Sequence, residues 1–127
     1  MTTDTLRPLV DTLKALAHPV RLRILALLQG GELCVCEVAE VLGLAPSTVS
    51  EHLTALRRTG LVRERKVGRW VHVALAEEAA TRPMVEALWP LMAAAEADLA
   101  RDLAQARALR CVACDPNRCP EPLSNPV

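Results

Sequence analysis

Apolar positions recur with helical spacing along the first part of the chain. Residues 5–17 carry leucine and valine at intervals of three and four, the pattern of an amphipathic helix. His18-Pro19 interrupts the pattern, because a residue before proline avoids the helical region and proline suits the first position of a new helix. Residues 20–28 are apolar on nearly every side and predict a buried second helix, which ends at Gln29-Gly30-Gly31.

Two shorter helices follow, separated by a tight connection. Residues 35–42 and 46–59 each present one apolar face, and Gly43 can end the first of them in the left-handed conformation. Pro46 is well placed to begin the second helix. A short helix, a turn that contains glycine and a second helix are typical of a helix-turn-helix.

The pattern then changes to the period of a strand. Two β-prone runs, 61–65 and 70–75, flank Lys66-Val67-Gly68-Arg69 and predict a hairpin with a basic tip. After a polar connector at 77–82, an apolar stripe predicts a long helix from Pro83 to about residue 109, bent near Pro90. We therefore expect a mainly α fold with a small β-hairpin, a winged helix-turn-helix.

The stripe of the last helix is longer than one small domain can cover. The chain has 127 residues, which is the size of one domain. The first and last helices are therefore predicted to form a dimer interface. We expect residues 1–109 to form a winged helix-turn-helix domain for DNA binding and dimerisation. Residues 110–127, rich in cysteine and proline, are expected to form a flexible tail.

Charge and cysteine content narrow the class of protein. Net charge is zero, with 15 basic and 15 acidic residues, but residues 46–75 carry six basic side chains against two acidic ones. Such a local excess favours a polyanionic partner. The chain contains no leader-like start and no apolar run of about 18 residues, so we expect a cytoplasmic protein without a membrane partner. In that compartment, five cysteines indicate metal or redox chemistry rather than structural disulfides.

Candidate DNA contacts lie on the second helix of the helix-turn-helix, which enters the major groove, and on the hairpin. Short hydroxyl side chains and histidine can contact base edges or phosphates, and basic side chains contact phosphates. A carboxylate is compatible with this surface if it accepts from a cytosine amine or pairs with an arginine. The candidates are Ser47, Thr48, Ser50, Glu51, His52, Thr54, Arg57, Arg58, Lys66 and Arg69.

Cys34 and Cys36 stand at the head of the third helix. Their soft thiolates favour arsenite, antimonite, cadmium or lead over calcium or magnesium. On an ideal helix, residues two apart point about 200° away from each other. The two sulfurs can hold one ion only if the backbone there is not helical or is distorted on binding, and a distortion would strain the helix-turn-helix.

Two thiolates form an incomplete ligand shell, and Cys111, Cys114 and Cys119 in the tail offer further sulfurs. Two arrangements are open. In the favoured one, tail cysteines of the same or the partner subunit complete the Cys34/Cys36 site. In the other, the three tail cysteines bind a ligand by themselves.

Several segments carry a family resemblance. Leu16-Ala17-His18-Pro19-Val20-Arg21-Leu22-Arg23-Ile24-Leu25, Glu32-Leu33-Cys34-Val35-Cys36-Glu37-Val38, Ser47-Thr48-Val49-Ser50-Glu51-His52-Leu53 and Gly68-Arg69-Trp70-Val71-His72 are similar to the ArsR/SmtB repressors. The resemblance implies a homodimeric winged-helix repressor that leaves an inverted-repeat operator in double-stranded DNA when a metal or metalloid binds. The cysteine block resembles the metal box of arsenic and cadmium/lead sensors. Ala39 stands where the arsenic pattern has a third cysteine, and the last helix lacks the His/Asp set of the zinc sensors.

The leading hypothesis is a repressor that responds to arsenite or antimonite. Cadmium, lead or zinc as the ligand, or thiol oxidation in place of a ligand, are alternatives with the same fold. A small thiol oxidoreductase is a remote alternative, because Cys111-x-x-Cys114 lies in a tail without the βαβ context of such enzymes. We therefore expect no enzymatic activity.

Overall fold

Helices build most of the protein, and three short strands form a small sheet, in which the hairpin of the last two strands is the wing. The computed structural model describes residues 3–77, 82–93, 101–106 and 108. A 3-10 turn, Thr3–Leu6, leads into the first helix. The elements are α1 (Arg7–Leu16), α2 (Pro19–Leu28), β1 (Leu33–Cys34), α3 (Val35–Leu42), α4 (Pro46–Arg58), β2 (Val62–Val67), β3 (Trp70–Leu75) and α5 (Arg82–Ala93). Residues 101–106 are also helical.

The helix boundaries follow local signals in the sequence. His18 is the N-cap of α2, and its Nδ1 accepts a hydrogen bond from the Val20 N–H at 3.1 Å, while Pro19 occupies the first turn. Gly43 ends α3 with φ of 69°, a left-handed conformation that costs glycine little. The helix-turn-helix of α3 and α4 therefore lies where the sequence predicted it.

The sheet contains one strand more than the sequence predicted. Its order is β1-β3-β2, with both pairs antiparallel. β1 has two residues, too few for an alternating pattern, and it exists because Leu33 and Cys34 pair with Val73 and His72 of β3. β2 also extends two residues beyond the predicted 61–65, because Lys66 and Val67 pair with Val71 and Trp70, leaving Gly68 and Arg69 as the turn.

The core is aliphatic and centred on α2, which is apolar on nearly every side. Helix α4 contributes the three apolar positions predicted to face inward, and the wing and α5 close the core. The core residues of these elements, all buried, are Ile24, Leu25, Leu27, Leu28, Val49, Leu53, Leu56, Val73 and Val85. Removing one such side chain from water stabilises the folded protein by about 1.5–3 kcal/mol. This packing fixes α4 against the rest of the domain.

Part of the apolar surface stays exposed. Leu9, Val10 and Leu13 on one side of α1, together with Leu6 just before it, are 39–52% exposed, and Leu91 on α5 is 69% exposed. These residues belong to the two helices predicted to dimerise. Within the described ranges, no helix has the length and apolar character needed to cross a bilayer. The predicted tail, 110–127, and residues 94–100 of the predicted last helix lie outside the described residues.

An ion pair joins the C-terminal helical segment to the core. Asp102 Oδ2 accepts from both Nε and Nη2 of Arg23 at 2.7 Å, and Asp102 is only 5% exposed. We expect Asp102→Asn to lower the free energy of unfolding by about 1–3 kcal/mol, because the buried carboxylate partner of the arginine is lost. Chemical denaturation measures this difference. Asp11→Asn, at an exposed position of α1, is the control and is expected to change stability by less than about 0.5 kcal/mol.

Candidate thiolate site and nucleic-acid interface

The two cysteines of the third segment lie on either side of a strand-to-helix junction. Cys34 ends β1 with extended dihedrals, φ of −76° and ψ of 147°, whereas Cys36 lies in the first turn of α3. Their Sγ atoms are 2.9 Å apart. The sequence required a backbone that is not helical or that distorts on binding, and the structure meets the first condition. Cys34 lies outside the helix, so the 200° separation of an ideal helix does not apply.

Cys34 is also the N-cap of α3. Its sulfur accepts from the Glu37 backbone N–H, and its own N–H donates to Glu37 Oε1 at 2.8 Å. This is a capping box in which cysteine takes the place of serine or threonine. Glu37 is only 5% exposed, so the box is shielded from water. We did not predict a role for Glu37, although the Cys-x-x-Glu spacing carried the signal.

The position of the sulfurs suits a soft cation. Both lie at the N-terminus of α3, where backbone N–H groups and the helix dipole favour negative charge. Tetrahedral zinc–sulfur bonds of about 2.3 Å would space two sulfurs about 3.8 Å apart, so the pair must open by about 1 Å to share such an ion. Cys34 is buried and Cys36 half-buried, so Cys36 is the more accessible of the two sulfurs.

The described residues supply only part of a ligand shell. Among them, no group of three or more histidine, cysteine or acidic side chains is arranged to hold a metal ion. Cys36 takes part in a disulfide, whereas Cys34 does not. Cys111, Cys114 and Cys119, the other predicted ligands, lie outside the described residues.

Most predicted DNA contacts lie on the solvent side of α4 and on the wing. Ser47, Glu51, Arg58, Lys66 and Arg69 are exposed, and Thr48 and Ser50 are half-buried. Arg57 and Thr54, by contrast, form contacts within the protein. Arg57 forms an ion pair of 2.5 Å with Glu64, and the Thr54 hydroxyl donates to the Ser50 carbonyl at 2.9 Å.

His52 faces α2 as well as solvent. Its Nδ1 accepts from Nε of Arg21 at 3.2 Å, and its ring centroid lies 4.5 Å from that of His18. Partial burial, followed by the nearby charges of His18 and Arg21, lowers the pKa of His52 below 6.5. His52 thus links the helix expected to read DNA to the start of α2. Sequence reasoning missed Arg21, because the contact joins residues that are 31 positions apart.

Comparison with known proteins gives the family. The family model for bacterial regulatory proteins of the arsR family matches residues 18–64. The biofilm growth-associated repressor of Agrobacterium fabrum is 38% identical over 87 residues, which cover 68% of this chain and 74% of that protein. The chain belongs to the arsR family.

Two other relatives of this ArsR-family chain match over a shorter part of their length. The SmtB homologue of Synechocystis, a transcriptional repressor, is 40% identical over 77 residues, and the arsenical resistance operon repressor of Escherichia coli is 43% identical over 68. The matches cover 61% and 53% of this chain, and the chain spans 58% of each of those proteins. The named relatives are transcriptional regulators, in agreement with the prediction that this chain is not an enzyme.

Solved structures agree with the winged helix-turn-helix. HlyU from Vibrio cholerae has a TM-score of 0.64 and 38% identity, with 73% of this chain and 99% of that chain covered. A homodimeric winged helix-turn-helix DNA-binding domain from Mycobacterium bovis has a TM-score of 0.62 and 35% identity, covering 72% of this chain and 82% of that one. The predicted fold class is therefore confirmed.

The lowered pKa of His52 predicts a pH dependence of stability. The unfolded chain binds a proton at His52 near pH 6.5 and the folded chain only at lower pH. Stability contributed by this residue is therefore present above about pH 6.5 and lost as the pH falls through the folded pKa. His52→Asn retains an acceptor near Arg21 but cannot titrate, so its thermal midpoint should fall less than that of the wild type between about pH 8 and pH 5. Parallel pH profiles of the two proteins would contradict this assignment.

Proposed function

We propose that this ArsR-family chain is a homodimeric transcriptional repressor that releases its operator when arsenite or antimonite binds Cys34 and Cys36. The observation that carries the proposal is the pair of sulfurs 2.9 Å apart at the start of α3. In the reduced protein both sulfurs are available as thiolates, which select soft ions, and Cys34 caps the first helix of the helix-turn-helix. A repressor with this role acts in the cytoplasm, where its operator lies.

The capping box provides a physical route from ligand to DNA. A ligand on Cys34 Sγ withdraws electron density from the sulfur that accepts the Glu37 N–H, so it weakens the cap of α3. An N-cap contributes about 1 kcal/mol to a helix, and allosteric coupling is typically about 1–3 kcal/mol. The first turn of α3 therefore adjusts on binding, and α4, which packs against α3, follows.

Further sulfurs complete the shell in our proposal. Trivalent arsenic uses about three sulfurs, and cadmium or zinc about four ligands. We propose that tail cysteines, Cys111, Cys114 or Cys119, supply these further sulfurs, because the described residues hold no complete ligand set. Cadmium and lead remain alternative ligands, since the same sulfurs suit them.

Double-stranded DNA is the partner that the exposed surface of α4 and the wing supports. Exposed hydroxyl and basic side chains are grouped there, in the position of the groove-reading helix of this fold. The exposed apolar side of α1 supports a second copy of the chain as the other partner, and a symmetric dimer matches an inverted repeat.

A thiol-redox repressor of the same fold is the second candidate function. The disulfide of Cys36 and the proximity of the Cys34 sulfur favour it, because oxidation at this junction would act on the same cap. An oxidant in place of a soft ion would then release the DNA.

The cysteine variants test the proposed function. A fluorescent duplex is first selected from random-sequence DNA by the reduced protein, and release is followed by fluorescence anisotropy. Arsenite should release the wild type, whereas Cys34→Ser and Cys36→Ser should still bind the duplex and lose at least about tenfold of the response. Serine at position 34 is a good N-cap, so Cys34→Ser removes the soft ligand but keeps the cap.

Further variants and ligands in the same titration distinguish one shared site from a tail site, and a soft ion from an oxidant. Replacing Cys111, Cys114 and Cys119 together by serine should also weaken the response to arsenite if all sulfurs form one site. A full response in the Cys34/Cys36 variants would place the site in the tail alone. Release by a mild oxidant but by none of arsenite, antimonite, cadmium and lead would replace the proposed inducer by oxidation.

Dimerisation is tested on the exposed face of α1. We expect Leu9→Glu with Leu13→Glu to shift the protein from dimer to monomer in sedimentation equilibrium, because two charges would be buried in an apolar interface. The monomer should keep its helical circular dichroism, since both side chains are exposed in the single chain. Asp11→Lys, on the opposite side of α1, should remain dimeric. A dimeric double glutamate variant would exclude this face.

A further inference from the structure

One row of side-chain positions crosses the whole sheet from the cysteine site to the wing. Cys34 of β1 is the partner of His72 in β3, and His72 is the partner of Arg65 in β2. Paired residues in neighbouring antiparallel strands point to the same face of a sheet. The cysteine proposed to bind the inducer is therefore two strands away from a basic residue of the wing, with one imidazole between them.

Glu32 contacts two residues of this row, Arg65 and His72. It precedes Cys34 by two residues and lies directly before β1. Its Oε2 accepts from Nη2 of Arg65 at 2.6 Å and lies 3.5 Å from Nδ1 of His72. The His72 side chain is only 12% exposed, whereas that of Arg65 is 64% exposed. One carboxylate thus links the segment that carries Cys34 to both strands of the wing.

We propose that Glu32 is a positioning residue that couples ligation of Cys34 to the placement of the wing. This inference rests on the proposed function, and it adds a second route beside the one through α3 and α4. When a ligand draws Cys34 and Cys36 into its geometry, the short strand β1 moves with Cys34. Glu32 is next to that strand in the chain and moves with it, and its ion pair with Arg65 and its contact with His72 carry the shift to the hairpin.

The size of the effect follows from exposure. An ion pair that is largely open to water contributes little, about two- to fivefold in an equilibrium constant. The contact with the less exposed His72 places Glu32 toward the upper end of that range. We therefore expect Glu32 to account for about fivefold of the coupling, with the remainder carried by the capped helix.

The measurement is the release ratio, defined as the operator Kd with saturating arsenite divided by the Kd without it. Glu32→Gln should keep the arsenite affinity measured by isothermal titration calorimetry and the Kd for DNA without arsenite within about threefold of the wild type. Its release ratio should fall about fivefold. A residue that only stabilised the fold would change the melting temperature and leave the ratio as it was.

Two further variants control the interpretation. Glu86→Gln removes a glutamate that is paired with Arg82 on α5, away from the sheet, and should keep the wild-type ratio. Arg65→Gln should lower the ratio as Glu32→Gln does. The double variant should lower it little further, because each single variant already breaks the ion pair between Glu32 and Arg65. If Arg65 acted only as a phosphate contact, its variant would weaken DNA binding and leave the ratio unchanged.

The outcomes separate this inference from the proposed function. A wild-type ratio well above one with the same ratio in Glu32→Gln would overturn the coupling through Glu32 and leave the proposed function standing. A wild-type ratio near one for every soft ion tested would overturn the proposed function and the coupling together.

Discussion

Helix α3 begins where the backbone turns from β1 into the helix, and Cys34 at that junction is held at two points by Glu37. Its N–H donates to the carboxylate and its sulfur accepts from the backbone N–H. Helix α3 is the first helix of the helix-turn-helix, and α4 packs against it. A single residue is therefore both helix cap and proposed ligand, and in the proposed mechanism a soft ion on its sulfur weakens a structural hydrogen bond.

The same junction is bound to the wing. β1 is only two residues long, and it is held by its pairing with β3, by the contacts of the neighbouring Glu32 and by Leu33, which is buried in the core. The aliphatic packing around α2 is continuous with Leu33 of β1 as well as with the inner face of α4. A displacement of Cys34 would therefore act on the wing and on the core together.

The contacts of α4 with its own domain limit which of its side chains are open to DNA. His52 bonds to Arg21, Arg57 pairs with Glu64, and the Thr54 hydroxyl is taken by the Ser50 carbonyl. The exposed serine, glutamate and basic residues remain as the surface that a duplex would meet first. Bound DNA would have to compete with Glu64 for the Arg57 guanidinium.

Local signals explain what the sequence alone determined. Apolar periodicity, the prolines at helix starts and Gly43 predicted the helix-turn-helix, and the change of period predicted the hairpin, because each of these depends on neighbouring residues. The cysteine pair was also recognisable, since soft ligands at close spacing are a property of the sequence itself. Whether the tail cysteines join it stays a prediction.

Tertiary structure decided what depends on residues far apart in the chain. β1 forms only because β3 lies beside it, and that pairing takes Cys34 out of the helix and brings the sulfurs to 2.9 Å. The hydrogen bonds between Glu32 and Arg65 and between His52 and Arg21 join residues 33 and 31 positions apart, so no local sequence pattern predicts them. Spacing supplied the two sulfurs, but long-range strand pairing set their geometry, because a two-residue strand has no stability of its own.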